Sequence, residues 1–107
     1  MNYNNFIGEK MYKLYDFYMD SCSPCKMIAP KVENFIKDKS NISFNAINIS
    51  NPTDFSKAEK YGILSVPTLL LFEVDGDNEK EIFRGVGIDS INELEKKWND
   101  LCQQEKK

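Results

Sequence analysis

The spacing of apolar residues switches from strand-like to helical and back between Lys13 and Ile49, and that switch dictates a layered α/β fold. Lys13 to Met19 is rich in aromatic and apolar residues and predicts a buried strand, which Ser21 to Pro24 breaks. From Pro24 to Lys39 the residues Met27, Ile28, Val32, Phe35 and Ile36 recur at helical spacing. Pro24 suits the first helical position, where a missing N–H costs nothing, whereas Pro30 inside the helix predicts a kink. Ser40-Asn41 ends that helix, and Ile42 to Ile49 predicts a β-branched strand. Asn51-Pro52 reads as an N-cap and first turn, opening a helix to Tyr61 that Gly62 stops. Val66-Pro67-Thr68 leads into a strand from Leu69 to Val74. Asp75-Gly76-Asp77-Asn78 then signals a hairpin into a strand from Glu81 to Val86. Ser90 and Glu93 form a capping-box pattern for a last helix, with Ile91, Leu94, Trp98 and Leu101 on one face. The order is β-α-β-α-β-β-α. Residues 1–10 read as a tail or irregular segment, residues 11–102 as the domain, and residues 103–107 as a frayed tail.

Composition narrows the function classes. Leu, Ile, Val and Phe number 28 of the 107 residues, enough for one hydrophobic core. A net charge of −3 argues against nucleic acid, whose phosphates need a basic face. The longest apolar run, Leu69 to Phe72, is too short for a membrane span. Met1 to Lys10 has neither a basic start nor an apolar stretch, so a cytoplasmic location is expected. The three cysteines (Cys22, Cys25 and Cys102) are too few and odd in number for a secreted disulfide scaffold. With no His, they also fall short of a structural zinc set, so no metal is expected.

The chemistry is expected at Cys22-Ser23-Pro24-Cys25, which lies at a strand-to-helix junction. Unpaired N–H groups and the positive dipole end of the helix favour a thiolate at Cys22. Only the thiolate attacks a disulfide, which makes Cys22 the nucleophile. Cys25, one turn further in, is the natural resolving thiol. The alternative is a pair of core cysteines that happen to be three apart. Cys102 extends the apolar face of the last helix and reads as a buried core thiol.

The segment from Asp16-Phe17-Tyr18 through Cys22-Ser23-Pro24-Cys25-Lys26-Met27-Ile28-Ala29-Pro30 resembles the active-site stretch of the thioredoxin family. Lys60-Tyr61-Gly62-Ile63, Val66-Pro67-Thr68-Leu69-Leu70-Leu71-Phe72 and Val86-Gly87 match in order and spacing, so the resemblance covers residues 12 to 101. It implies a thioredoxin-like fold, with a central mixed sheet flanked by helices. It further implies that Pro67 is a cis proline facing the two sulfurs, and that Val66 offers a backbone edge to an extended client peptide. Asp16 matches the buried acid that takes the proton from Cys25 through a water. Ser21, Ser23, Pro24, Val66, Thr68 and Gly87 are implied to meet the client. Pro67 as the start of an edge strand, Asp16 as an exposed strand end and Gly87 as a turn glycine are the plainer alternatives. Lys26 reads as a solvated helix lysine.

The chain also departs from the family. Ser21 and Tyr18 replace two usual tryptophans, Ser23 replaces a glycine, and Ala46 stands where a lysine commonly pairs with the buried acid. The segment from Asn48 to Tyr61 is two residues longer than usual, and the N-terminus is too short for the family's first strand and helix. The implied activity is reduction of protein disulfides by a monomer whose only redox group is the Cys22/Cys25 pair, with no cofactor. Its partners would be disulfide-containing clients and a thioredoxin reductase-like electron donor, with neither nucleic acid nor membrane. A glutathione-dependent, glutaredoxin-like reductase and a thioredoxin-fold binding subunit are the other readings. Pro24 directly before the second cysteine, and the joint presence of Asp16, Cys22, Cys25 and Pro67, weigh against them.

Overall fold

The computed structural model describes residues 10–105, so the predicted N-terminal tail, apart from Lys10, and residues 106–107 lie outside the described residues. The elements follow the expected order: β1 (Met11–Tyr18), α1 (Ser23–Ile36), β2 (Ile42–Asn48), α2 (Pro52–Lys60), β3 (Thr68–Asp75), β4 (Asn78–Val86) and α3 (Ser90–Glu105). The four strands form one mixed sheet in the order β2-β1-β3-β4. β1 runs parallel to β2, joined through α1, and antiparallel to β3, which pairs antiparallel with β4. No helix among the described residues is long and apolar enough to cross a membrane.

Side-chain alternation along the strands divides the core into two layers. Tyr12 and Leu14 of β1 and Leu69 and Leu71 of β3 pack with Ile28, Val32 and Phe35 of α1 and with Ile91 and Leu94 of α3. On the opposite face, Phe17, Ile47, Leu70 and Phe72 meet Ala58 of α2. β3 is therefore buried on both faces, which is why Leu69 to Phe72 shows no alternation. Trp98 and Leu101 close the first layer, with the Trp98 ring edge-on to Tyr12 at 5.0 Å and to Phe35 at 6.1 Å.

The turn glycines Gly62 and Gly76 act as expected, whereas several element ends differ from the expected ones. Gly76 adopts φ +62° in a hairpin whose strands meet at Asp75 and Asn78, so β4 starts three residues before the expected Glu81. Gly62 (φ +66°) ends α2, where Ile63 N–H donates to Ala58 O at 2.8 Å and Gly62 N–H to Glu59 O at 3.1 Å. α1 passes unbroken through Pro30 but stops at Ile36 rather than Lys39, whose ammonium donates to the Phe35 carbonyl at 2.6 Å. Asn51 holds the N-cap position of α2, yet its side chain makes no capping bond.

Three expectations about the last helix need correction. α3 continues to Glu105, so residues 103–105 are helical rather than a tail. Cys102 is a free, half-buried thiol rather than a buried one, because the apolar face is already narrowing at Trp98 and Leu101. Ser90 does not cap: it is the first helical residue, fully buried, and its Oγ has no hydrogen-bond partner among the described residues. Glu93 N–H donates instead to the Asp89 carbonyl at 3.1 Å. Ser90→Ala should consequently leave stability unchanged or raise it by up to ~1 kcal/mol, as removal of an unpaired buried hydroxyl does. Urea unfolding checks this, since loss of a capping serine would lower stability by about 1 kcal/mol.

Candidate active site

Three chain segments converge at one end of the sheet. β1 runs toward it and ends at Tyr18, β3 starts from it at Thr68, and β4 runs toward it to Val86, as the pairings Phe17↔Thr68 and Thr68↔Val86 require. The sequence places Cys22 just after β1, Pro67 just before β3 and Gly87 just after β4, so topology assembles the three. Gly87 N–H donates to Pro67 O at 2.9 Å and ties two of these segments together.

Cys22 occupies the N-cap of α1 with extended backbone (φ −94°, ψ 104°), and its sulfur accepts the Cys25 N–H at 3.1 Å. The sulfur thus satisfies one of the donors that a helix start leaves open, and it sits at the positive end of the helix dipole. Ser23 and Pro24 form the exposed first turn, and Pro24 has no N–H to leave unpaired. Cys25 is 6% exposed, Cys22 is half-buried, and the two are joined as a disulfide with Cα atoms 5.2 Å apart. The expected asymmetry, an outer sulfur at the helix start and an inner one a turn later, is present in the fold.

The Val66–Pro67 peptide bond is cis and Pro67 is buried. Thr68, expected on the client-facing rim, is 1% exposed, and its hydroxyl donates to the Ser65 carbonyl at 2.7 Å. Its side chain holds the Ser65–Pro67 loop from within and cannot reach a client. Val66 is half-buried, and Ser21, Ser23 and Pro24 are exposed. Gly87 adopts φ +92°, which explains the glycine by backbone alone, and a Cβ there would meet nothing within 4 Å.

Asp16 lies on the α1 side of β1, since Leu14 and Asp16 share a face. It is 7% exposed, so the exposed strand-end alternative does not hold. Burial alone pushes its carboxyl up from 3.8 to about 6, with no neighbouring charge contributing. A cleft of about 280 Å³ reaches Asp16 and Cys25 from outside, lined also by Lys26, Ala29, Phe44 and Ala46. Sequence reasoning named Asp16 and Cys25 separately but missed the cleft between them. A partial signal was present, because Cys25/Lys26, Ala29 and Glu33 follow helical spacing and mark one stripe of α1. Lys26 itself is exposed, as a solvated lysine should be.

A thioredoxin family model matches residues 1–100. Thioredoxin of Chlamydia caviae is 38% identical over 93 residues, covering 87% of this chain and 84% of that protein. Thioredoxin-1 of Saccharomyces cerevisiae is 34% identical over 85 residues, covering 79% and 77%. Among solved structures, oxidized mitochondrial thioredoxin 3 of Saccharomyces cerevisiae aligns with a TM-score of 0.69 at 25% identity, covering 90% of this chain and 84% of that one. Trichomonas vaginalis thioredoxin aligns with a TM-score of 0.74 at 20% identity, covering 84% and 78%, and so supports the fold. Family match, fold and a cysteine pair closed at a helix start agree: the chain belongs to the thioredoxin family and is a protein-disulfide oxidoreductase.

Proposed function

We propose that this protein reduces client disulfides with Cys22 as attacking thiolate, Cys25 as resolving thiol and Asp16 as proton acceptor. Cys22 attacks one client sulfur, the client disulfide breaks, and its other sulfur leaves as a thiolate. Cys25 then gives up its proton and attacks the Cys22 sulfur. The mixed disulfide breaks, the second client thiol leaves, and Cys22–Cys25 closes, so two electrons pass to the client. The N-cap hydrogen bond from Cys25 N–H to the Cys22 sulfur carries the assignment of the nucleophile. The cleft shared by Asp16 and Cys25 supports a water-borne proton path, being far larger than one water needs. Neither step calls for a metal or organic cofactor.

Clients would be held by the backbone at Val66, the exposed surface of Ser21, Ser23 and Pro24, and the half-buried Gly87. The electron donor is a thioredoxin reductase-like flavoprotein rather than glutathione, and the protein works as a monomer in the cytoplasm, in redox homeostasis. Pro24 directly before Cys25 supports this choice of donor. Insulin-disulfide reduction, run with a thioredoxin reductase and NADPH or with glutathione and its reductase, tests it. Turnover is expected with the first system, and turnover confined to glutathione would contradict the choice of donor.

A further inference from the structure

Two buried side-chain polar atoms have no hydrogen-bond partner among the described residues, Ser90 Oγ and Asp16 Oδ1, and only Asp16 lines a cleft that also reaches Cys25. Strand register explains the space. Asp16 pairs with Ala46 across the β1–β2 ladder, and paired residues of parallel strands project to the same face. A methyl group there is too short to fill the space next to the carboxylate. Phe44 and Ala46 of β2 and Ala29 of α1 make the neighbouring walls apolar.

The cleft is also unbalanced in charge. Lys26 and Glu33 of α1, Asp20 of the β1–α1 turn and Asp16 of β1 all line it, three carboxylates against one ammonium, with Tyr18 and Met19 completing that side. Lys26 makes no ion pair with Asp16, and β2 contributes no charged group to this wall. These carboxylates are spread around the cleft, and among the described residues no three Asp, Glu, Cys or His side chains are placed to hold one metal ion. A compact cationic head on a short carbon stem has the matching pattern, a charge for the floor and methylenes for the walls.

We propose that this cleft is a binding site for a small aliphatic primary ammonium, its nitrogen on the Asp16 carboxylate and its stem against Phe44, Ala46 and Ala29. Such a ligand supplies the charge-assisted hydrogen bond that the fold leaves unmade. It places a positive charge in the space that Cys25 shares, and so links occupancy to the redox pair. The site does not depend on which thiol attacks the client.

Amide NMR titration of the oxidised full-length protein at about pH 8, where Asp16 is ionised, tests the site. The additions are propylammonium chloride, 1-propanol and, for ionic strength, sodium chloride. The expected result is saturable shifts around Asp16 and Ala46 with propylammonium, with affinity roughly tenfold above that for 1-propanol. Asp16→Asn should abolish the preference for the cation. Ala46→Leu, which fills the cleft and keeps the carboxylate, should abolish binding of both. Equal affinity for propylammonium and 1-propanol, shifts matched by sodium chloride, or an undiminished preference in Asp16→Asn would overturn the proposal. Insulin reduction by the same wild-type sample is read separately, so loss of one result leaves the other standing.

Discussion

Cys22→Ser is expected to lower disulfide reduction to the level of protein-free buffer without loosening the fold. Serine is among the best N-cap residues, and its Oγ can accept the same Cys25 N–H that the sulfur accepts now at 3.1 Å. The change therefore removes the nucleophile and keeps the cap, which separates chemistry from structure. Cys25→Ser should differ in kind. It leaves the outer sulfur at the helix start, so the first attack proceeds and the mixed disulfide has no intramolecular resolver. Insulin turbidity measures the loss of turnover in both, and circular dichroism checks the fold. Equal residual turnover in Cys22→Ser and wild type would mean that another thiol carries the reaction.

Asp16→Asn is expected to stabilise the protein at neutral and alkaline pH while slowing the resolving step. Burial raises the Asp16 carboxyl from 3.8 to about 6, so the folded state holds this proton more tightly than the unfolded state does. Between those values the folded chain binds more protons, and stability falls as pH rises. The loss is complete above about pH 7 and amounts to about 3 kcal/mol for the shift from 3.8 to about 6. Asparagine is neutral throughout and avoids it. Urea unfolding across pH should show the variant more stable by about that amount near pH 8, converging with wild type below about pH 4. Lys26, Glu33 and Asp20 also line the cleft, but none contributes to the shift, so burial alone should set its midpoint. Stopped-flow analysis should show slower release of the second client thiol and little change in the first attack, because the carboxylate shares its cleft with Cys25. A variant no more stable than wild type at pH 8 would remove the buried-carboxylate account.

The sequence was most readable where local chemistry decides. Cys22-Ser23-Pro24-Cys25 at a strand-to-helix junction, Gly62 after a helix and Gly76 in a hairpin each impose a backbone form that neighbours scarcely alter. Pro67 needed more than that, since a cis bond is invisible in residue order and its expectation came from resemblance. Features set by distant partners were missed. The family resemblance implies a rim position for Thr68, but pairing with both Phe17 and Val86 draws it inside. Ser90 looked like a cap because Glu93 follows at the right spacing, while packing of α3 on β4 buries it one residue too late to cap. A Cβ at Gly85 would lie 3.2 Å from the Ser90 Cβ and 2.7 Å from the Phe83 ring, which shows how closely that helix start is held. The cleft required the Asp16↔Ala46 register, a pairing between residues thirty apart that no local pattern encodes. Cys102 continued an apolar stripe on paper, yet at the end of α3 the sheet no longer covers it fully.

The central claim is that Cys22 attacks and Cys25 resolves. Peptide mapping by mass spectrometry of Cys25→Ser, reacted with a disulfide client and quenched with acid, tests it most directly. The client adduct should lie on Cys22, with Cys102 unmodified, and the complex should dissociate only when an external thiol is added. An adduct on Cys102, or rapid release of the client without added thiol, would contradict the assignment.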